Sequence, residues 1–338
     1  MPDAYTKGKD MPIMRDIIDF FIIHDIHRRA GFARRAGRSP AYQSRVVASY
    51  CVNLSKLALM LALLACGMTG SAQAAEPVAM VTDMEGKVAL VESTGKSALS
   101  ILSEIRQGDK LRLENGARMD AVYLESGQKY EFNGPAVVQF GTSQPQSLGG
   151  IKPEQKGLAL AKGGKNIRIK PVSVAQAAIV WRSVKPSSKI KLLGLSGTII
   201  LESRPVFRWQ AVQPGLKYQF RLTDGKGNLV YEALVEGISF ELPQQVHLSE
   251  ANNYTWAVSA ELPGGGEISN AGDFSVASSK LQMQAESLRP ASTAPLSERV
   301  VFAAWLEQAG LRDEARKYWK SAAAERPDDH RLKAMAGE

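Results

Sequence analysis

Two periodicities divide this chain. From residue 78 to 277, apolar side chains recur in short runs or at every second position, and from 297 onward they recur every three to four. In the first region Val78 to Thr82 is an apolar run, and Gly86 to Val91 follows it. Lys110 to Leu113 alternates polar and apolar, Ala121 to Leu124 is apolar, Lys129 to Phe132 alternates, and Ala136 to Phe140 closes the series. Turn signals separate these runs at Gly108-Asp109, Asn115-Gly116, Ser126-Gly127 and Gly134-Pro135. Short strands at such spacing predict a small all-β unit over 78–141.

A second β unit is predicted over 196–277. Phe207 and Trp209 share one face of Pro205–Trp209, and Tyr218, Phe220 and Leu222 share one face of the next strand. Asp224-Gly225 and Gly227-Asn228 turn the chain into Leu229–Val235, and Phe240–Leu242 follows. Tyr254, Trp256, Val258 and Ala260 keep period two, and Phe274 and Val276 close the unit. Residues 278–296, with Arg289-Pro290 and Pro295, read as a linker.

After it the period becomes helical over 297–338. Val301, Trp305 and Gln308 mark one side of a first helix, with Phe302, Leu306 and Ala309 beside it. Gly310-Leu311 turns the chain, and Leu311, Ala315, Tyr318, Trp319 and Ala322 line a second helix that Pro327 stops. Asp328 or Asp329 caps a short third helix through Ala336. The expected fold is therefore multidomain and mainly β: a small β domain, an immunoglobulin-like sandwich and a C-terminal helical hairpin.

A different pattern precedes these units. Lys56 is followed by the apolar run Leu57–Ala65 and by small residues ending in Ala72-Gln73-Ala74, which together describe a secretory signal peptide over 52–74. The run is shorter than the roughly 20 residues that span a bilayer. Residues 1–51 are expected to be untranslated sequence ahead of a start at Val52, or a disordered leader. The alternative is a cytoplasmic extension ahead of a membrane anchor. Cys51 and Cys66 are the only cysteines, so a chain cleaved after Ala74 has none and forms no disulfide. Leu63-Leu64-Ala65-Cys66 also resembles a lipobox, which leaves lipidation at Cys66 open beside soluble export. Either way the expected location is extracytoplasmic, in the periplasm.

Charge changes the picture in one place. The chain carries 42 basic and 34 acidic residues, but the part after residue 75 is nearly balanced, with 32 against 29. Nucleic-acid binding is therefore not expected. The stretch 142–195 is predicted to be a basic connector: between 152 and 191 it holds ten cations, with Glu154 as the single acid. Lys162, Lys165, Arg168, Lys170, Arg182, Lys185, Lys189 and Lys191 are its candidate polyanion-binding residues, suited to cell wall or anionic lipid. A solvated linker, or an edge strand at Asn166–Lys170 with a basic outer face, is the plainer expectation.

Three resemblances follow from these residues. Gly86-Lys87-Val88, Gly108-Asp109-Lys110-Leu111, Gly127-Gln128-Lys129-Tyr130 and Gly134-Pro135-Ala136 together resemble the FecR-type domain. That resemblance implies an extracytoplasmic β module. Signalling members of the family also contact an outer-membrane receptor and hold a sigma factor through an N-terminal part, for which no recognisable module stands here. The Leu248/Tyr254 pair resembles the tyrosine corner of immunoglobulin-like sandwiches, and Trp209 is similar to the core tryptophan of fibronectin type III modules. Trp209, Tyr254 and Trp256 are expected in the core, a sugar-stacking platform being the alternative. Counting from Gly310, the positions of Ala315, Trp319, Ala322 and Pro327 resemble a tetratricopeptide repeat, although Arg299 replaces its first aromatic residue. A lone repeat cannot bury its apolar face. It must dock within the chain or on a partner.

Catalytic chemistry is not indicated. His247 and His330 lie in different predicted units, no His/Cys cluster has metal spacing, and Gly264-Gly265-Gly266 lacks the Lys-Ser/Thr of a phosphate loop. Paired glycosidase carboxylates remain open, because their pairing is spatial. No enzyme, cofactor or metal is expected. The functional expectation is an exported scaffold or sensor for envelope proteins, with Arg312, Arg316, Lys317 and Lys320 as candidate partner contacts. The alternative is a wall- or polyanion-binding module acting through the basic connector.

Overall fold

The computed structural model describes residues 76–91, 99–158 and 190–338. The leader, Cys66 and most of the basic connector lie outside them. The fold is mainly β, with several antiparallel sheets and helices at the C-terminal end.

The first β unit holds β1 (Pro77–Glu85), β2 (Val88–Leu90), β3 (Glu104–Arg106), β4 (Lys110–Leu113), β5 (Arg118–Tyr123), β6 (Lys129–Asn133), β7 (Ala136–Phe140), β8 (Pro145–Gly150) and β9 (Glu154–Lys156). They form a five-stranded sheet, β3-β1-β5-β6-β9, and a four-stranded one, β2-β4-β7-β8. Leu111, Leu113, Phe132, Val138 and Phe140 fill the space between the sheets. Strands β8 and β9 fall inside the stretch read from sequence as connector, so the unit runs on at least to Lys156. There Lys156 is paired with Glu154, 3.0 Å away. A polar, glycine-bearing strand such as Pro145–Gly150 lacks the apolar alternation by which its neighbours are recognised.

Strands β1 and β5 are buried on both faces. Ala79 and Val81 point into the space between the sheets, as do Met119, Ala121 and Tyr123. Met80, Val122 and Leu124 point the opposite way, into the helices. Continuous apolar runs are what a strand covered on both sides requires.

The second β unit holds β10 (Thr198–Ile200), β11 (Val206–Arg208), β12 (Lys217–Asp224), β13 (Leu229–Glu236), β14 (Ser239–Glu241), β15 (Asn253–Glu261) and β16 (Glu267–Val276). The large sheet has the order β10-β16-β15-β12-β13, and β11 pairs with β14. All the pairs are antiparallel except β10 with β16. Phe207, Trp209, Phe220 and Trp256 are fully buried between them, so the tryptophans are core residues and offer no stacking platform. The Tyr254 hydroxyl accepts from the Ser249 amide at 2.8 Å.

Helix α1 (Ser279–Leu288) occupies the stretch expected to be linker. Leu281, Ala285 and Leu288 put apolar groups on one side of it, and the Ser278 hydroxyl accepts from the Leu281 amide at its start. Then come α2 (Leu296–Gln308), α3 (Arg312–Glu325) and α4 (His330–Ala336). Asp329, of the two candidate caps, is the one that starts α4; its carboxylate accepts from the Arg331 and Leu332 amides. Val301, Phe302, Trp319, Ala322 and Leu332 share one core with Met80, Leu102 and Val122 of the first β unit. The helical layer thus buries its apolar face inside the chain.

Candidate partner-binding cleft

Helix α3 also touches the second β unit, and a fixed set of hydrogen bonds holds the contact. Asp313, in the first turn of α3, accepts from the Leu195 amide at 2.6 Å. Leu195 has a left-handed backbone (φ 52°), which costs a non-glycine residue energy unless its surroundings hold it there. The Asp313 carboxylate and the Trp256 indole, which donates to the Leu195 carbonyl at 2.7 Å, supply that hold. Arg312 donates to the Gly197 carbonyl at 3.0 Å, and the Ile199 amide donates to the Gly310 carbonyl at 2.8 Å.

Beside this seam a half-open cleft of about 560 Å³ lies between α3 and the segment running from Leu193 to Arg208. Its apolar surface comes from Leu193, Leu195, Ile199, Ile200 and Val206, of which Leu193 and Val206 are 49% and 41% exposed. Five cations line it: Arg204, Arg208, Arg316, Lys317 and Lys320. Three acids, Glu202, Asp313 and Glu314, stand among them. Arg204 donates to Glu241 at 3.2 Å and to the Leu242 carbonyl at 3.1 Å, and Arg316 donates to Asp313 at 3.1 Å. Burial works against the Lys317 ammonium. The hydrogen bond to Glu314 and the charges of Glu314 and Glu202 outweigh it, so its pKa is raised. Arg208 and Lys320 are exposed and pair with no acid among the described residues.

Of the contacts proposed from sequence, Arg316, Lys317 and Lys320 line this cleft, whereas Arg312 is spent on the Gly197 carbonyl. The opposite wall, with Arg204 and Arg208, was not legible. An outward cation next to Phe207 and Trp209 looks like any solvated strand residue, and only the fold sets it across from α3. Among the polyanion candidates, Lys191 is exposed beside the cleft-lining segment; Lys162, Lys165, Arg168, Lys170, Arg182, Lys185 and Lys189 lie outside the described residues. Among the described residues, no group of His, Cys, Asp and Glu is placed to hold a metal, and no helix is long and apolar enough to cross a membrane.

No protein-family model matches the chain, and no curated protein matches it. Among solved structures, CopC from Methylosinus trichosporium OB3b is similar over 26% of this chain and 93% of its own length, at 14% identity and a TM-score of 0.21. A beta-1,2-glucanase from Parabacteroides distasonis is similar over 74% of this chain, at 10% identity and a TM-score of 0.19. The match spans about half of that enzyme (49%). Likenesses this low carry no argument about fold or activity.

Proposed function

We propose that this chain is an exported, non-catalytic scaffold or sensor that holds a protein partner in the bacterial envelope. The proposal includes a FecR-type first β unit, a fibronectin type III-like second unit and a tetratricopeptide-like helical layer. Three features are consistent with those resemblances. The Tyr254 hydroxyl meets the backbone upstream at Ser249, Trp209 is fully buried, and Ala315, Trp319 and Ala322 are buried at the repeat spacing. The observation that carries the functional reading is the cleft, where exposed apolar side chains and cations without an acid partner among the described residues sit on backbone pinned by Asp313 and Trp256. Strands β1 and β5 cover the inner face of the helical layer, so the partner is not held there.

A photo-cross-linker placed at Lys191 of the full chain, exposed beside the cleft, tests this reading in cells. Capture of one envelope protein is the expected result. Recovery of wall glycan or lipid alone would replace it with the polyanion-binding alternative.

A further inference from the structure

Resting on that scaffold reading, we infer that the cleft between α3 and the Leu193–Arg208 segment takes an acidic polypeptide segment carrying an apolar anchor residue. Charge and surface decide the occupant together. Three of the five lining cations are already matched inside the protein, Arg204 with Glu241, Arg316 with Asp313 and Lys317 with Glu314. Their role is to hold the walls. Arg208 on β11 and Lys320 on α3 have no such match among the described residues, and they stand on the two opposing walls. An anion between them would be drawn by both.

The apolar floor separates a peptide from a simple ion. Leu193 and Val206 remain 49% and 41% exposed within a space of about 560 Å³. That size lies inside the roughly 300–1,000 Å³ usual for ligand sites. Inorganic phosphate would use the cations and leave this surface wet. A segment with acids on both sides of a leucine would cover it and meet both cations. The chain's own residues 159–189 do not suit, since they carry seven basic residues and no acidic one.

The fixed walls favour binding as well. The cleft's backbone is held at Leu195 and Gly197 by α3, so little ordering is left for a ligand to impose.

The test uses the full chain and a fluorescein-labelled heptapeptide with two acids on each side of a central leucine. Arg208→Glu with Lys320→Glu should weaken binding about 10-fold through loss of the charge attraction, and raised salt should weaken wild-type binding too. Val206→Asp, also at an exposed position, should weaken it about 10-fold, and so should a serine in place of the probe's leucine. Thermal melts confirm that each variant is folded. Absence of probe binding, equal binding by R208E/K320E, or full displacement by millimolar inorganic phosphate would overturn the assignment. The Lys191 cross-link, repeated in the R208E/K320E chain, keeps the two failures apart. A partner still captured there means that the scaffold stands and the cleft assignment falls; a partner captured by neither chain means that both fall.

Discussion

Arg326 lies across the carboxylate of Asp83, donating from Nε to Oδ1 at 3.1 Å and from Nη2 to Oδ2 at 3.2 Å. The two residues are separated by 243 positions in sequence, and the pair fastens the end of α3 to β1. Asp120, opposite Asp83 in the sheet, is fully buried and meets the Lys129 ammonium at 3.1 Å. Lys129 also donates to the Ser297 hydroxyl of α2 at 3.3 Å. Two separate charged contacts therefore tie the helices to the same sheet. Arg326→Ala should lower stability by about 2–3 kcal/mol, because it leaves Asp83 without its cation on a mostly buried face. Chemical denaturation of the full chain checks this.

Asp83 should also give the protein a pH dependence. Burial raises its pKa above the ordinary 3.8, and Asp120 adds to that, while Arg326, the Met84 amide and Arg118 pull it down without reversing it. The folded protein thus holds this proton more tightly than the unfolded chain. The contribution to stability is full below that ordinary 3.8, the unfolded value, and is lost as pH rises through the folded value. Asp83→Asn should flatten that part of the stability profile. Denaturation midpoints measured between pH 3 and 7 for both proteins would show it; parallel profiles would mean that Asp83 is not the group responsible.

Removing the helices should damage the first β unit. A chain ending at Ala294 would expose Met80, Leu102 and Val122, which now pack on α2, α3 and α4. The expected result is a protein that binds a hydrophobic dye and unfolds with reduced cooperativity. A truncated chain as stable as the parent would show that the shared core contributes little.

The packing centre of the helical layer is Trp319, which has no exposed surface. Trp319→Ala should cost about 3–5 kcal/mol through the cavity it leaves. Trp319→Phe should recover a large part of that loss. Thermal denaturation of the two variants distinguishes a packing role from a surface one.

At the seam with the second β unit, Asp313→Ala should release the Leu195 amide and raise its hydrogen-exchange rate. The stability cost is about 1–3 kcal/mol, that of a buried donor left without its acceptor. Gly194→Ala should act in the same direction. Its backbone is left-handed (φ 104°), and a Cβ there would stand 3.2 Å from the Asp313 carboxylate.

The alternation of Lys110–Leu113, Lys129–Phe132 and Tyr254–Ala260 determined their strands, because one face of each is buried and side chains change face at every residue. The helical spacing of Ala315, Trp319 and Ala322 and the cap at Asp329 likewise fixed α3 and α4 locally. The apolar runs at Val78–Thr82 and Ala121–Leu124 were visible too, but their partner was not. Whether a run faces a helix or a second sheet depends on contacts hundreds of residues away. Strands β8 and β9 and helix α1 carry weak local patterns, and they are ordered by their neighbours. The cleft belongs wholly to the tertiary level. Lys320 stood out only as an exposed helix cation and Arg208 not at all, and the two face one cleft only because Asp313 and Leu195 bring their elements together.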